Sequence, residues 1–201
     1  MAGHYFSEQP DVASEVRRVP LHLPDVSMDL EADRGVFSAD QIDSGTRVLL
    51  LEACRPVAGQ RVLDVGCGYG PIACTAATRC PDAEVWAVDV NERARTLTAS
   101  NAERLGIDVR VEAPDDVAGD IRFDLIVSNP PIRIGKANLH ALLARWLGQL
   151  APNGRAELVV QKHLGSDSLA KWLNAQGWPT ERLLSRGGYR ILVSSAKTDA
   201  T

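Results

Sequence analysis

The sequence is poor in aromatic residues, has no long apolar run and carries no cysteine pattern of the kind that holds metal. Its 201 residues include three Phe, three Tyr and four Trp. The longest apolar stretch, Val48 to Leu51, is four residues, far short of the ~18 that cross a bilayer, so no membrane partner is expected. Met1 to Glu8 has neither a basic start nor an apolar stretch, and no secretory leader is expected there. Cys54, Cys67, Cys74 and Cys80 form no C-x-x-C pair and have no companion histidine spacing. Neither a metal site nor a disulfide framework is expected, and a reducing cytoplasm fits.

What is present is ordinary for a folded domain. Apolar residues make up 45% and charged residues 24%, which excludes a disordered or fibrous chain. A chain of this length buries about 70% of its unfolded surface, enough for a core without staples. One domain, or one plus a short appendage, is the expectation. The net charge of −4 argues against a general nucleic-acid coat. The charge is uneven, however: residues 1–120 carry 11 Arg and Lys against 21 Asp and Glu, whereas residues 121–201 carry 11 against 5. The basic second part either faces an anionic partner or is simply solvated.

The first 45 residues read as a β-rich appendage. Arg17 to Leu23 and Val26 to Leu30 alternate around Pro24-Asp25 as a hairpin, and Arg34 to Ser38 reads as a further short strand. The main domain, 46–201, opens with a helix over Thr46 to Cys54. Strands then alternate with helices. Strands are expected at 61–65, 84–88, 109–112, 123–128, 156–161, 180–185 and 190–194. Helices are expected at 71–79, 92–105, 137–150 and 166–175, with a turn at Pro152-Asn153-Gly154. This is an α/β pattern: a doubly wound, mostly parallel seven-stranded sheet, with the last two strands forming an antiparallel C-terminal edge.

Asp64-Val65-Gly66-Cys67-Gly68-Tyr69-Gly70 lies where a strand hands over to a helix. A dinucleotide-binding turn would place glycine at position 71, which is Pro71 here, so a diphosphate ligand loses ground. Asp64 would repel a diphosphate but suits a cationic ammonium or sulfonium. Asp89, 25 positions later, ends the next strand, where an acid accepts ribose hydroxyls or merely caps a helix. Asp115 or Asp116 follows the third strand, as a ligand contact or as a solvated loop. A ligand with ribose, adenine and a cationic amino-acid tail fits this set: S-adenosylmethionine.

Ser128-Asn129-Pro130-Pro131-Ile132-Arg133 follows the fourth strand. Two prolines stiffen this loop and keep it out of helical geometry. The Asn129 side-chain carbonyl and the Pro130 backbone carbonyl are acceptors that can hold the two hydrogens of a planar exocyclic amine. Drawing those hydrogens out of plane localises the nitrogen lone pair toward a methyl donor. The alternative is a loop that merely ends a strand.

Asp64 to Gly70, Asp89 and Asn129 to Pro131 resemble the defining motifs of class I S-adenosylmethionine-dependent methyltransferases acting on amino nitrogens. His4 to Pro10, Gly35 to Ser38 with Asp43 to Arg47, Asn129 to Arg133, and Gly187-Gly188-Tyr189-Arg190 resemble the small-domain methyltransferase family, over nearly the whole chain. The best understood members are small-subunit ribosomal RNA guanine-N2 methyltransferases. The resemblance implies a Rossmann-like methyltransferase fold. It implies S-adenosylmethionine held by Phe37, Asp64, Gly66, Cys67, Gly68, Asp89, Val90, Asp115, Asp116 and Asn129. It also implies catalysis by Asn129, Pro130 and Pro131, and substrate contact by Ile132, Arg133, Lys162, Tyr189 and Arg190.

Two departures stand out. Ile132 occupies the place where many amino methyltransferases carry a base-stacking aromatic residue, which weakens adenine-N6 and protein-glutamine readings. The longer guanine-N2 enzymes carry a second, degenerate N-terminal copy of the domain, where this chain has about 45 residues. Packing roles remain open for Phe37, Tyr69, Tyr189 and the four tryptophans, and a solvated or capping role for Lys162 and His163. The expected activity is methylation of a guanine N2 amine in ribosomal RNA, free or in a ribosomal particle, by a cytoplasmic, metal-free enzyme. The alternatives are a protein or small-molecule amine substrate, or a non-catalytic RNA-binding assembly protein on the same fold.

Overall fold

In the computed structural model, residues 13–197 are described. The His4 to Pro10 motif lies outside them.

The centre of the protein is a parallel sheet whose strands are apolar on both faces. β3 (Arg61–Val65), β4 (Glu84–Val88) and β6 (Phe123–Ser128) are almost wholly buried, as strands covered by helices on two sides must be. Their alternation divides the core in two. Val62, Val85, Ala87, Leu125 and Val127 face one layer. Leu63, Val65, Trp86, Val88 and Ile126 face the other. The first layer is closed by α1 (Ser44–Glu52), α2 (Pro71–Arg79) and α3 (Glu92–Leu105). The second is closed by α4 (Lys136–Leu147) and α5 (Ser166–Ala175).

With β5 (Arg110–Glu112), β7 (Leu150–Gln161), β8 (Thr180–Arg186) and β9 (Tyr189–Ser195), the sheet has seven strands in the order β5-β4-β3-β6-β7-β9-β8. β5, β4, β3, β6 and β7 are parallel, and β9 is antiparallel to both β7 and β8. The fold is the expected Rossmann-like methyltransferase sheet. Its C-terminal hairpin forms the edge, with the last strand on the inner side and β8 outermost. The chain winds outward from β3 through β4 to β5, then returns to place β6 on β3's other side. That reversal opens a crevice at the carboxyl ends of β3 and β6, where α/β sheets bind ligands.

The amino-terminal hairpin, β1 (Arg17–His22) with β2 (Ser27–Ala32), is a separate two-stranded sheet. Val19, Leu21, Leu30 and Ala32 are buried in the same layer as α1, α2 and α3. Asn101 of α3 fastens it: Oδ1 accepts from Glu31 N at 2.8 Å, while Nδ2 donates to Glu31 O at 2.8 Å and to Tyr69 O at 2.9 Å. The side chain therefore ties the hairpin to the glycine turn.

Two local expectations change. Arg34 to Ser38 is a turn and not a strand. Ser38 stands at φ 57°, and Asn91 Nδ2 donates to Gly35 O at 2.9 Å, so this backbone is tied to the α3 cap and not to a ladder. Pro152-Asn153-Gly154, expected as a turn, lies inside β7, which runs unbroken from Leu150, and a register shift opposite Phe123 to Leu125 absorbs the extra residues.

Candidate active site

Four segments meet in the crevice: the glycine turn after β3, Asp89 after β4, the Asn-Pro-Pro loop after β6, and the 36–46 segment leading into α1. They enclose a cleft of about 560 Å³. Phe37, Gly66, Cys67, Gly68, Asp89, Val90, Asn129, Pro130, Pro131, Ile132, Arg133 and Tyr189, all singled out from sequence, line it.

The glycine turn is shaped by its neighbours. Gly66 N and Cys67 N donate to Val88 O at 2.8 and 3.0 Å, closing the ends of β3 and β4 together. Gly66 and Gly68 have φ of 76° and 58°, a region costly for other residues. A Cβ at Gly66 would meet nothing within 4 Å, and one at Gly68 only Val36 Cγ1 at 3.8 Å. The turn is thus an open cradle, and any side chain there would enter the space a ligand needs.

Asp89 bridges the turn and α3. Oδ2 accepts from Gly68 N at 3.0 Å and Oδ1 from Asn91 N at 2.9 Å. A carboxylate has about four acceptor sites, so each oxygen keeps capacity toward the cleft. Burial raises its pKa, and the backbone donors, with Arg95 nearby, oppose that rise.

Asp64 is 1% exposed and lies beneath the turn, off the cleft lining. Its Oδ2 accepts from Ala73 N at 3.0 Å, satisfying a first-turn donor of α2 that the Gly70 cap leaves bare. Its Oδ1 is buried with no partner among the described residues. Burial pushes the carboxyl up to about 8.

The Asn-Pro-Pro loop is rigid for reasons beyond its prolines. Ile132 N donates to Pro130 O at 2.8 Å across Pro131, whose φ and ψ of −73° and 79° approximate an inverse γ-turn. The Pro130 carbonyl therefore keeps one lone pair. Ser128 Oγ donates to Val65 O at 2.7 Å, pinning the end of β6 to β3. Asn129 Nδ2 donates to Asp43 Oδ1 at 2.7 Å and to Thr46 Oγ1 at 3.0 Å. Asp43 is itself the N-cap of α1, accepting from Gly45 N at 2.8 Å and Thr46 N at 3.0 Å. The amide nitrogen must face this carboxylate, because its oxygen would be repelled. Asn129 Oδ1 is left as the acceptor for a ligand. Tyr189 closes this wall against α1: a Cβ on Gly45 would lie 2.8 Å from its Cε1. Burial and the nearby Asp43 raise the Tyr189 pKa and keep its phenol protonated.

Asp43 and Thr46 were visible in sequence only as part of a motif, without a role. Their partner lies 86 and 83 positions away, so no local spacing could assign one. Asn91 was likewise unassigned. It caps α3 by accepting from Arg93 N and Ala94 N at 2.9 and 3.3 Å.

Besides Asp64, four expected residues lie off the cleft lining. Asp115 and Asp116 are exposed in a short 3-10 turn, with Asp115 paired to Arg145 at 2.8 Å; Pro114 reaches the cleft in their place. Lys162 is exposed beside it, flanked by the lining residues Gln161 and Leu164. Arg190 is 7% exposed and bonds to Ser166 and Asp167 at the start of α5. Among the described residues there is no cluster of three or more potential metal ligands and no helix long and apolar enough to cross a membrane.

Comparison with known proteins adds to this geometry. The sequence profile of the family described as Methyltransferase small domain matches residues 27–193. The chain is 35% identical over 196 residues to the uncharacterized protein YbxB of Bacillus subtilis, covering 96% of this chain and 98% of that one. It is 34% identical over 169 residues to Ribosomal RNA small subunit methyltransferase C of Shewanella amazonensis, covering 81% of this chain and 49% of that one. The chain therefore spans about half the length of that relative. A solved T. thermophilus 16S rRNA N2 methyltransferase, in complex with AdoMet and guanosine, superposes with a TM-score of 0.75 at 22% identity. The match covers 94% of this chain and 52% of that one.

Proposed function

The chain belongs to the methyltransferase small domain family, and on that premise we propose that it transfers methyl from S-adenosylmethionine to the N2 amine of a guanine in ribosomal RNA. The observation that carries this reading is the Asp43–Asn129 pair at 2.7 Å, which aims the Asn129 carbonyl into the cleft.

The residues fit the cofactor. The open cradle at Gly66 and Gly68 admits its amino-acid tail, with the unpartnered Asp64 Oδ1 buried beneath it. The free acceptor capacity of Asp89 suits two ribose hydroxyls, with Val90 and Phe37 flanking the purine. When bound, S-adenosylmethionine supplies an electrophilic methyl on a sulfonium.

The chain's own residues do the rest. Asn129 Oδ1 and the remaining Pro130 lone pair accept the two amine hydrogens, drawing them out of the base plane and freeing the nitrogen lone pair. Ile132 and Tyr189 supply apolar and aromatic walls for a flat ring. Fixing both reactants in one orientation accounts for most of the rate, and no strong base is required. The proton is acidic only after methylation and leaves to water. Arg133, exposed on the cleft lining and with no ion pair among the described residues, meets an RNA phosphate at the mouth. Reaching the loop requires the guanine to be splayed out of its RNA fold. The enzyme then works in the cytoplasm on ribosomal RNA or a ribosomal particle.

The test offers methyl-labelled cofactor with RNA, protein and metabolite pools in parallel. Label in ribosomal RNA supports the reading. Label confined to protein or small molecules replaces it with the corresponding amine substrate.

A further inference from the structure

A second, smaller pocket of about 200 Å³ lies between α4 and α5 and shares Ile132 and Leu164 with the cleft. Its floor is apolar, built from Leu139, Val160 and Leu169, and its polar lining comes from Lys136, His140 and Ser168. No carboxylate lines it. Lys136 is exposed and makes no ion pair among the described residues. The His140 ring stacks on Trp172 with centroids 3.7 Å apart and planes 13° apart. One face of the imidazole is thus braced, and His140 also lines the pocket. Partial burial and Lys136 lower the His140 pKa, so near neutral pH the ring is an uncharged, flat aromatic.

We infer that this pocket is a second nucleotide subsite, which takes the base and phosphate of the residue adjoining the target guanine. The inference rests on the RNA reading above. The chemistry is that of a nucleotide: a free cation for a phosphate, a braced aromatic ring for stacking, the Ser168 Oγ, which donates to Gly165 O at 2.8 Å, as an acceptor for a base edge, and no acid to repel either. Proteins read single-stranded RNA by such stacking on aromatic and histidine rings. The shared Ile132 and Leu164 make the two cavities neighbours on one wall, as successive nucleotides of a splayed strand require. The subsite also supplies a reason for Ile132: a small aliphatic partition separates two bases where a stacking ring would engage only one.

The experiment measures methyl-transfer kinetics on unmodified small-subunit ribosomal RNA, offered free and as assembled particles. The variants are Lys136→Ala, His140→Ala and His140→Phe. The expected result for His140→Ala is a KM for RNA raised about ten-fold, in line with the loss of one base stack, with kcat and cofactor Kd unchanged. His140→Phe keeps a ring and restores KM. Lys136→Ala flattens the dependence of log kcat/KM on log salt by about 0.7, one single-strand phosphate contact. Variants with wild-type KM and wild-type salt slope would overturn the subsite and leave the RNA reading standing. A wild-type enzyme that methylates neither form of the RNA would overturn the RNA reading, and this inference with it.

Discussion

Asn129 and Asp43 are 86 residues apart in sequence and 2.7 Å apart in space, Nδ2 to Oδ1. The contact couples a loop after β6 to the cap of α1, so one carboxylate both starts a helix and orients the amide that faces the cleft. Thr46 Oγ1, one turn into the helix, takes a second bond from the same nitrogen at 3.0 Å. Replacing Asn129 with alanine removes the acceptor while the γ-turn at Pro131 persists. Turnover should fall about 10²–10³-fold, with a nearly unchanged cofactor Kd, since preorganised polar contacts of this kind act in the transition state.

The supporting residues should show a graded version of the same split. Thr46→Val removes one bond to Asn129 and leaves the Asp43 cap intact, so turnover should drop about ten-fold. Asp43→Asn can keep its Oδ1 role for both the cap and Asn129 and should be mild. Asp43→Ala should lower turnover further and cost roughly 1 kcal/mol of stability through the lost cap. Steady-state kinetics alongside thermal melts separate the two effects.

Asp89 should govern the cofactor and not the chemical step. Asp89→Ala loses the charge-assisted acceptors and is expected to weaken S-adenosylmethionine binding roughly ten- to a hundred-fold. Asp89→Asn keeps one acceptor for Gly68 N and should lie between. Calorimetry on the folded variants measures this directly, and an unchanged Kd for Asp89→Ala would refute the ribose assignment.

Asp64 predicts a pH dependence of stability. Its carboxyl is pushed up to about 8 in the folded protein, against 3.8 when unperturbed. Between these values the folded state holds a proton that the unfolded state has released. Stability from this group is therefore full below about pH 4 and declines as pH rises toward 8. Asp64→Asn should flatten that decline in urea titrations of the cofactor-free protein, with the Ala73 N bond retained by the amide oxygen. A decline of unchanged steepness would show that another group carries it.

Arginines near the cleft should separate by role. Arg133→Gln should reduce the salt slope of RNA binding by about 0.7 per single-strand phosphate lost. Arg190→Gln should leave that slope intact and lower the melting temperature, because Arg190 is buried against Ser166 and Asp167. Equal slopes for Arg133→Gln and wild type would move the RNA to another face.

The contrast between these arginines shows what the sequence could and could not convey. The strand–helix alternation gave the sheet because each parallel strand is a short apolar run bounded by turns. The meeting of Gly66–Gly68, Asp89 and Asn129 in one cleft followed from their places at strand ends, since neighbouring parallel strands point those ends the same way. Direction on the surface was not legible in the same way. Asp115 also follows a strand, yet it is exposed and pairs with Arg145 of α4. Arg190 sits beside Tyr189, but strand alternation sends the two to opposite faces: Tyr189 toward the cleft and Arg190 under α5. The Asp43–Thr46–Asn129 contact needs the fold before it exists at all. The Arg34 to Ser38 turn is likewise set by Asn91, 56 positions after Gly35.

The most direct measurement digests ribosomal RNA after reaction with methyl-labelled S-adenosylmethionine and identifies the labelled nucleoside by mass spectrometry, with wild type and Asn129→Ala side by side. The amine-holding geometry predicts N2-methylguanosine from the wild type and a yield lowered about 10²–10³-fold from the variant. Label on a ribose oxygen or a ring carbon, or equal rates from the two proteins, would contradict it.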